Sequence, residues 1–471
     1  MPWSESSCSE TLPDEEKKKY FKIQANHEAP GGARYTRDDV KRRKLDHDEA
    51  QRTANLNERQ AKERVTRSHL LMNPVNRVLE EIGAFAYMPS EMRSRRGLAV
   101  ALEMSHKTLT NFEYPAPHTV LDVHRDPRYG GIVEVANYAS GNEISMCLPV
   151  EDEEEHRWHY LSDMHSLPFP PSAMQASCSA MSPTGCFLVG LHEPNDSQIC
   201  ILQLPDPDED GHYHRPEIPE PEAILLGGTI PRVATPLSSA TVPTFALGLQ
   251  KGLFLLKLSP DGGEDDLYRL GTMPERASRS SRSSPSAADD VWAADFLTPN
   301  TVVAGGRGKF VFVADSRVEA EGALACEHGA LITDIKAIDD YRILVGGGSR
   351  APGGNENGEV VEYDLRFKRQ ENGRAVSTRN FPGLTFASPW PKFDLCTELG
   401  LMAAVNRERR PYFMSLRNGQ IVEPPLGVVW EFEKACKVKF DHGPCHDTPQ
   451  WGGPRSHSLL VSTTGAVHEL S

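Results

Sequence analysis

Residues 359–367 read Glu-Val-Val-Glu-Tyr-Asp-Leu-Arg-Phe, and the reading of this stretch decides the fold. It follows the turn dipeptide Asn357-Gly358, and its Val360, Val361, Tyr363 and Leu365 are the β-branched, aromatic and aliphatic residues that suit a pleated, buried strand. The strand is expected to stop at Asp364-Leu365-Arg366. Apolar strands of the same kind recur at 144–150 (ISMCLPV), 198–204 (QICILQL), 252–258 (GLFLLKL), 308–315 (GKFVFVAD), 411–415 (PYFMS) and 465–470 (GAVHEL). Their ends, at Val150, Leu204, Leu258, Asp315, Asp364, Ser415 and Leu470, are separated by 54, 54, 57, 49, 51 and 55 residues. A period near fifty with several short strands per unit is the signature of a β-propeller, whose blades bury their faces against one another.

The blades are degenerate. No unit ends in Trp-Asp, and Glu327-His328-Gly329 is the one step similar to the Gly-His of a WD repeat. The fold class expected is therefore all-β, a seven-bladed WD-repeat-like β-propeller over 106–471, with a helical extension over 36–105 and a largely disordered segment, carrying a short docking motif, over 1–35.

A net charge of −15 argues against a nucleic-acid face, which needs basic residues to neutralise phosphates. Nine cysteines with no Cys-x-x-Cys fit buried thiols in a reducing compartment, nucleus or cytoplasm. The polar start, MPWSESSCSE, and the absence of any apolar run of membrane-spanning length predict neither a signal peptide nor an anchor.

Leu12 to Ile23 is a charged run leading into aromatics and reads as a short docked turn. From Thr36, an N-cap before an acidic first turn, the chain to about Arg67 has no Gly or Pro and reads as a helix that is polar nearly all round. Val75, Val78, Leu79 and Ile82 give a second helix one apolar stripe, which needs a partner surface on the propeller or on another protein. Lys41 to Lys44 is either an import signal or a solvated face. Within the propeller, 151–156 (EDEEEH), 205–222, 275–290 (Ser- and Arg-rich, a phosphorylation candidate) and 346–358 (GGGSRAPGGNENG) read as loops.

The Gly-rich stretches at 305–309 and 346–348 open no helix with Gly-Lys-Ser/Thr and read as turns rather than phosphate loops. The chain has no Gly-x-Ser-x-Gly elbow and no His-Glu-x-x-His pair. Cys436, His442, Cys445 and His446 match no common zinc spacing. Neither cofactor nor metal is expected, nor catalysis; an active centre would need His, Asp or Glu converging on the central channel.

Two regions together resemble a known family. Leu12-Pro13, Glu15 to Ile23, Asn26-His27 and Ala33-Arg34-Tyr35 leading into Val40 to Lys44, with Glu327-His328-Gly329, Thr333-Asp334-Ile335, Tyr363 to Arg366 and 400–416, are similar to the type-four family of DDB and cullin-4 associated factors. The resemblance implies a substrate receptor of a cullin-4 RING ubiquitin ligase, docking on the adaptor called damage-specific DNA-binding protein one. The docking box of such receptors ends a third strand with Trp-Asp-x-Arg, so it implies docking roles for Tyr363, Asp364 and Arg366, Tyr standing for Trp. Asp315 and Arg317 repeat the box one blade earlier without its aromatic residue, Ala314 taking that place. The alternative is a propeller scaffold of a nuclear or cytosolic complex with no ligase role, in which Asp-x-Arg merely closes a turn.

How the ring closes is also legible. Residues 465–470 align with third strands, so the last blade needs a fourth strand from the other end of the chain. The candidates are 98–103 (LAVALE) and 107–112 (KTLTNF), and the Thr and Phe residues of the second suit a half-exposed outer strand.

Overall fold

The computed structural model describes the strands Thr11–Asp14 and Lys19–Lys22 and, between 101 and 470, the strands given below with most of their connecting turns. Seven antiparallel sheets of four strands follow one another along the chain. The first blade is His118–Arg125, Ile132–Tyr138, Gly141–Cys147 and His165–Ser166, and the second is Gln175–Met181, Cys186–His192, Ser197–Gln203 and Glu222–Leu225. The third is Pro231–Pro236, Thr244–Leu249, Gly252–Lys257 and Asp266–Gly271, and the fourth is Val291–Thr298, Thr301–Gly306, Phe310–Asp315 and Ala323–Glu327. Leu331–Ala337, Arg342–Gly348, Glu359–Lys368 and Ala375–Asn380 make the fifth; Phe393–Cys396, Leu401–Val405, Pro411–Ser415 and Ile421–Val422 make the sixth. The seventh takes Lys437–Asp441, Ser458–Ser462 and Ala466–Leu470 from the end of the chain and His106–Asn111 from before the first blade. First strands of successive blades lie side by side, Lys437–Asp441 beside His118–Arg125, so the sheets form a closed seven-bladed β-propeller around a central channel.

All seven strands singled out from the sequence are third strands. Second and third strands are sandwiched between neighbouring blades and buried on both faces, as in Cys186–His192, Thr244–Leu249, Leu401–Val405 and Pro411–Ser415, so they read as continuous apolar runs. Outer strands such as Glu222–Leu225 and Ala375–Asn380 are largely exposed and carry little signal. A recurring tie sets the end of the third strand. The N–H just past it, or in the fifth blade just past the break in its regular pairing, donates to the turn between the first two strands of its blade: Leu204 to Gly185, Leu258 to Pro243, Ser316 to Asn300, Leu365 to Tyr341 and Leu416 to Gly400, at 2.8–3.1 Å.

Closure uses the second of the two candidate strands. His106 pairs with Leu470 and Asn111 with Ala466, while Ala101, inside the other candidate, is helical. Leu109 fills the seam between the last and first blades with Val123, Ile132, Cys147, Leu460 and Val467. Arg125 spans the same seam to Asp441 and, at 3.2 Å, to Glu469.

Several boundaries differ from the sequence reading. Val150 does not end a third strand, which stops at Cys147; it lies in Pro149–Asp152, hairpin partner of Arg157–Tyr160, so Glu151 and Asp152 are strand rather than loop. The strand around Tyr363 runs on to Lys368, although its regular pairing breaks after Asp364. Gly346, Gly347 and Gly348 are the buried end of a second strand, not a turn, and Gly305 and Gly306 likewise end one. The cause is crowding: a β-carbon would come 2.7 Å from the Phe393 ring at Gly346 and 2.2 Å from His328 Nε2 at Gly347, so only glycine fits beside these side chains. The run read as a docked turn from Leu12 to Ile23 overlaps a hairpin, Thr11–Asp14 with Lys19–Lys22, within a separate unit, Met1–Thr66. The two helices of the extension and the loops at 205–220, 275–289 and 349–357 lie outside the described residues, as do His442, Cys445 and His446.

Candidate functional site

Asp364 ends the regular pairing of the third strand of the fifth blade. Its Oδ1 accepts both the backbone N–H and Nε–H of Arg366 at 3.0 Å, and its Oδ2 accepts a terminal N–H of the same guanidinium at 2.6 Å. Asp364 is buried while the Arg366 side chain is 54% exposed, so the carboxylate is the anchor and the cation is presented. Two of the five guanidinium N–H donors are used in the fork. The ring of Tyr341, 5.1 Å from the guanidinium, and that of Phe367, 5.8 Å away, flank it; both residues are exposed. The Arg366 hydrogen bonds hold the Asp364 carboxyl below its ordinary range, so the fork stays ionised at neutral pH.

The same fork stands on the fourth blade. Asp315 Oδ1 accepts the Arg317 N–H at 3.0 Å and Nε–H at 2.9 Å, and Oδ2 accepts a terminal N–H at 2.6 Å. Arg317 is 67% exposed, and its hydrogen bonds lower the Asp315 pKa to about 2. A third fork, between Asp126 and Arg128, has the same contacts but a different setting. Arg128 is mostly buried, donates to the Leu204 carbonyl of the next blade at 3.1 Å, and occupies the space a β-carbon at Gly185 would need. There the motif ties blades together; on the fourth and fifth blades it leaves a cation in the open.

Tyr363 is buried in the apolar layer shared with Leu297, Val303 and Val311 of the fourth blade. Its hydroxyl donates to the Glu327 carbonyl at 3.3 Å and meets His328 Nδ1 at 3.2 Å, which makes Nδ1 the protonated nitrogen. His328 sits edge-on to the tyrosine ring, and burial presses its pKa down to about 4, so the imidazole is neutral. Tyr thus fills an inter-blade slot and secures the segment leading into its own blade. At the corresponding place in the fourth blade stands the small side chain of Ala314, which is buried.

The structure also assembles a cluster that sequence reasoning missed. Asp295, Asp334 and Asp394 sit on the first strands of consecutive blades, and each reaches across to the next. Their Oδ2 atoms accept the N–H groups of Ala337 at 2.7 Å, Phe393 at 3.0 Å and Phe440 at 2.9 Å. The signal was an aspartate followed by an apolar residue, Asp122-Val123, Asp295-Phe296, Asp334-Ile335 and Asp394-Leu395, recurring in first strands. Around them stand Lys336, 3.1 Å from Asp394, and Lys437, 3.7 Å from Asp122, with Lys392 and Lys439.

His124 Nε2 lies 2.8 Å from Ser179 Oγ and 3.5 Å from Asp122, while Lys439 donates to Nδ1 at 2.5 Å. A serine, histidine and aspartate do meet, but serine and carboxylate share one ring nitrogen and an ammonium holds the other. A nucleophilic triad needs the carboxylate on the nitrogen opposite the serine, so this is a hydrogen-bond chain across blades rather than a charge-oriented base. Among the described residues no group of His, Cys, Asp and Glu is arranged to hold a metal ion.

No protein-family model matches this sequence, and no curated protein matches it. Among solved structures, the chain is similar to the WD40 beta propeller domain of Doa1, at 11% identity and a TM-score of 0.48, over 78% of this chain and 97% of that one. The fold itself rests on the seven sheets and their closure.

Proposed function

We propose that this propeller is a protein-interaction scaffold serving as a substrate receptor of a cullin-4 RING ubiquitin ligase, docked on the damage-specific DNA-binding protein one adaptor through Arg366 and Arg317. The observation that carries the reading is the pair of equivalent Asp-x-Arg forks at the ends of the third strands of adjacent blades, each with a buried or half-buried carboxylate and an exposed guanidinium. A fork fixed by its own aspartate is preorganised, so little side-chain entropy is lost when a partner's acceptors engage it. The exposed rings of Tyr341 and Phe367 add apolar area beside Arg366, a composition common where binding energy concentrates. The sequence resemblance supplies the identity of the partner. Target proteins then bind elsewhere on the ring, since recognition resides in loops carried by the scaffold.

Affinity purification of the full chain from cells tests the reading. The adaptor and cullin-4 should co-purify and be lost together with Arg366→Glu. A stable complex containing neither would assign the ring to a scaffold outside the ligase.

A further inference from the structure

We propose that the ring opens and closes at one joint, the seam between the seventh and first blades, which parts while the other six stay shut. Every other pair of neighbouring blades is joined by continuous chain from a fourth strand to the next first strand. Here the continuous chain enters the first blade from His106–Asn111, and that strand is held to the rest of the seventh blade by its ladder to Ala466–Leu470 and by side-chain packing. The two sides of the seam can therefore separate without stretching the chain. Its apolar cluster, Leu109, Val123, Ile132, Cys147, Leu460 and Val467, is the smallest of the seven and, among the described residues, the one without an aromatic ring. Phe187, Phe245, Phe312, Tyr363, Phe393 and Phe413 stand in the others, and a buried ring brings about 150–250 Å² of burial with it.

A polar layer takes the place of the missing ring. Side chains alternate along a strand, so Glu134 and its register partner Ser145 lie on the face of Ile132 and Cys147, toward the seventh blade, while Val133 and Met146 face the second. Glu134 is wholly buried and accepts a hydrogen bond from the Ser462 hydroxyl across the seam. Ser145 is buried too, and its hydroxyl has no hydrogen-bond partner among the described residues. Beside this layer Arg125 reaches Asp441 and Glu469, Lys437 lies 3.7 Å from Asp122, and Lys439 donates to His124. Buried ionic and polar contacts roughly offset their own desolvation, so they fix the register of the closed seam and add little to its strength. Water hydrates the same groups once the seam parts, so opening costs less here than at an apolar seam.

Thiol labelling of the folded full chain tests the proposal, because buried cysteines sit in several seams. Cys147 lies in this one, Cys200 between the first and second blades, Cys326 between the fourth and fifth, and Cys396 between the sixth and seventh. The probe is iodoacetamide in urea well below the midpoint, each rate divided by that of the same thiol in the unfolded chain. Cys147 should then react roughly tenfold faster than the other three, as sub-global opening requires. Leu460→Cys puts a second thiol on the opposite wall, which should react at the rate of Cys147. Arg125→Gln, which takes the cation from Asp441 and Glu469, should speed Cys147 roughly tenfold. Glu134→Met with Ser462→Ala, which replaces both partners by apolar groups, should slow it roughly threefold. Arg374→Gln, at the seam of the fourth and fifth blades, should leave Cys147 unchanged. Equal rates at all four thiols, a Leu460→Cys thiol that stays protected while Cys147 reacts, or seam variants that leave Cys147 unmoved or shift every thiol alike overturn it. If Arg125→Gln fails to fold, the Glu134→Met/Ser462→Ala chain decides.

Discussion

Leu109→Ala should weaken the whole ring, although the residue lies far from the last blade in sequence. Leu109 is 9% exposed and packs against Val123, Ile132 and Cys147 of the first blade and Leu460 and Val467 of the seventh. Truncating a buried leucine costs about 2–5 kcal/mol, through lost transfer free energy and the cavity left behind. Residual exposure and an outer-strand position place this site near the lower end, about 2–3 kcal/mol. Propeller unfolding is cooperative only while the seam is shut, so the loss should appear in the midpoint of a single urea transition with unchanged slope. A chain beginning at His118 loses the same side chain and the paired backbone of His106–Asn111 besides. It also leaves Ala466–Leu470 as an open edge, so it should melt lower and self-associate, whereas a chain beginning at Gly97 should keep the native midpoint. Loss of less than about 0.5 kcal/mol in Leu109→Ala, with a monomeric His118 chain melting at the full-length temperature, would refute this account of closure.

Asp334→Ala should cost about 2–5 kcal/mol in chemical denaturation, because it strands the N–H groups of Ile335 and Phe393, which its carboxylate now accepts at 3.1 and 3.0 Å. The pH dependence follows from His328. Its folded pKa, about 4, lies below the unfolded value near 6.5, so its contribution is complete above about 6.5 and is lost as pH falls toward 4, by about 3 kcal/mol. His124 acts in the same direction. Asp295, raised to about 6 by burial, acts oppositely, because its stabilisation is lost as pH rises through that value. The slope of stability against pH between 4 and 6.5 should therefore be shallower in His328→Gln than in the parent; equal slopes would remove His328 from the account.

The propeller was legible because third strands are buried on both faces and because turns set their spacing. The long uninterrupted apolar run that betrays a blade is the consequence of being sandwiched. The same logic explains the errors. Val150 reads as a strand end because its apolar run continues past Cys147, and sequence alone gives no mark of where Pro149 begins a separate hairpin. Gly346 to Gly348 looked like a turn because glycine signals one locally, whereas here it answers to Phe393 and His328, distant in sequence. Tyr363, Asp364 and Arg366 were found as a unit since all three lie within four residues of one strand. The channel aspartates were missed because each bonds to the following blade, a partner some forty to sixty residues away that no local pattern names. Nor did the sequence separate the Asp126–Arg128 fork from the two exposed ones, for what differs is a carbonyl on the next blade.

The most direct test of the central claim is a titration of purified adaptor against the full chain, its Arg366→Glu variant and the Arg317→Glu/Arg366→Glu double variant. Both arginines are more than half exposed, but reversal of Arg366 strips the buried Asp364 carboxylate of two hydrogen bonds, so the variants should lose stability, and the titration is read only on protein whose cooperative unfolding shows it folded. If the forks dock the adaptor, Arg366→Glu should raise Kd roughly 30-fold or more and the double variant further, since reversal sets a carboxylate against the partner's acceptors. Folded variants that bind the adaptor as tightly as the parent would contradict the claim.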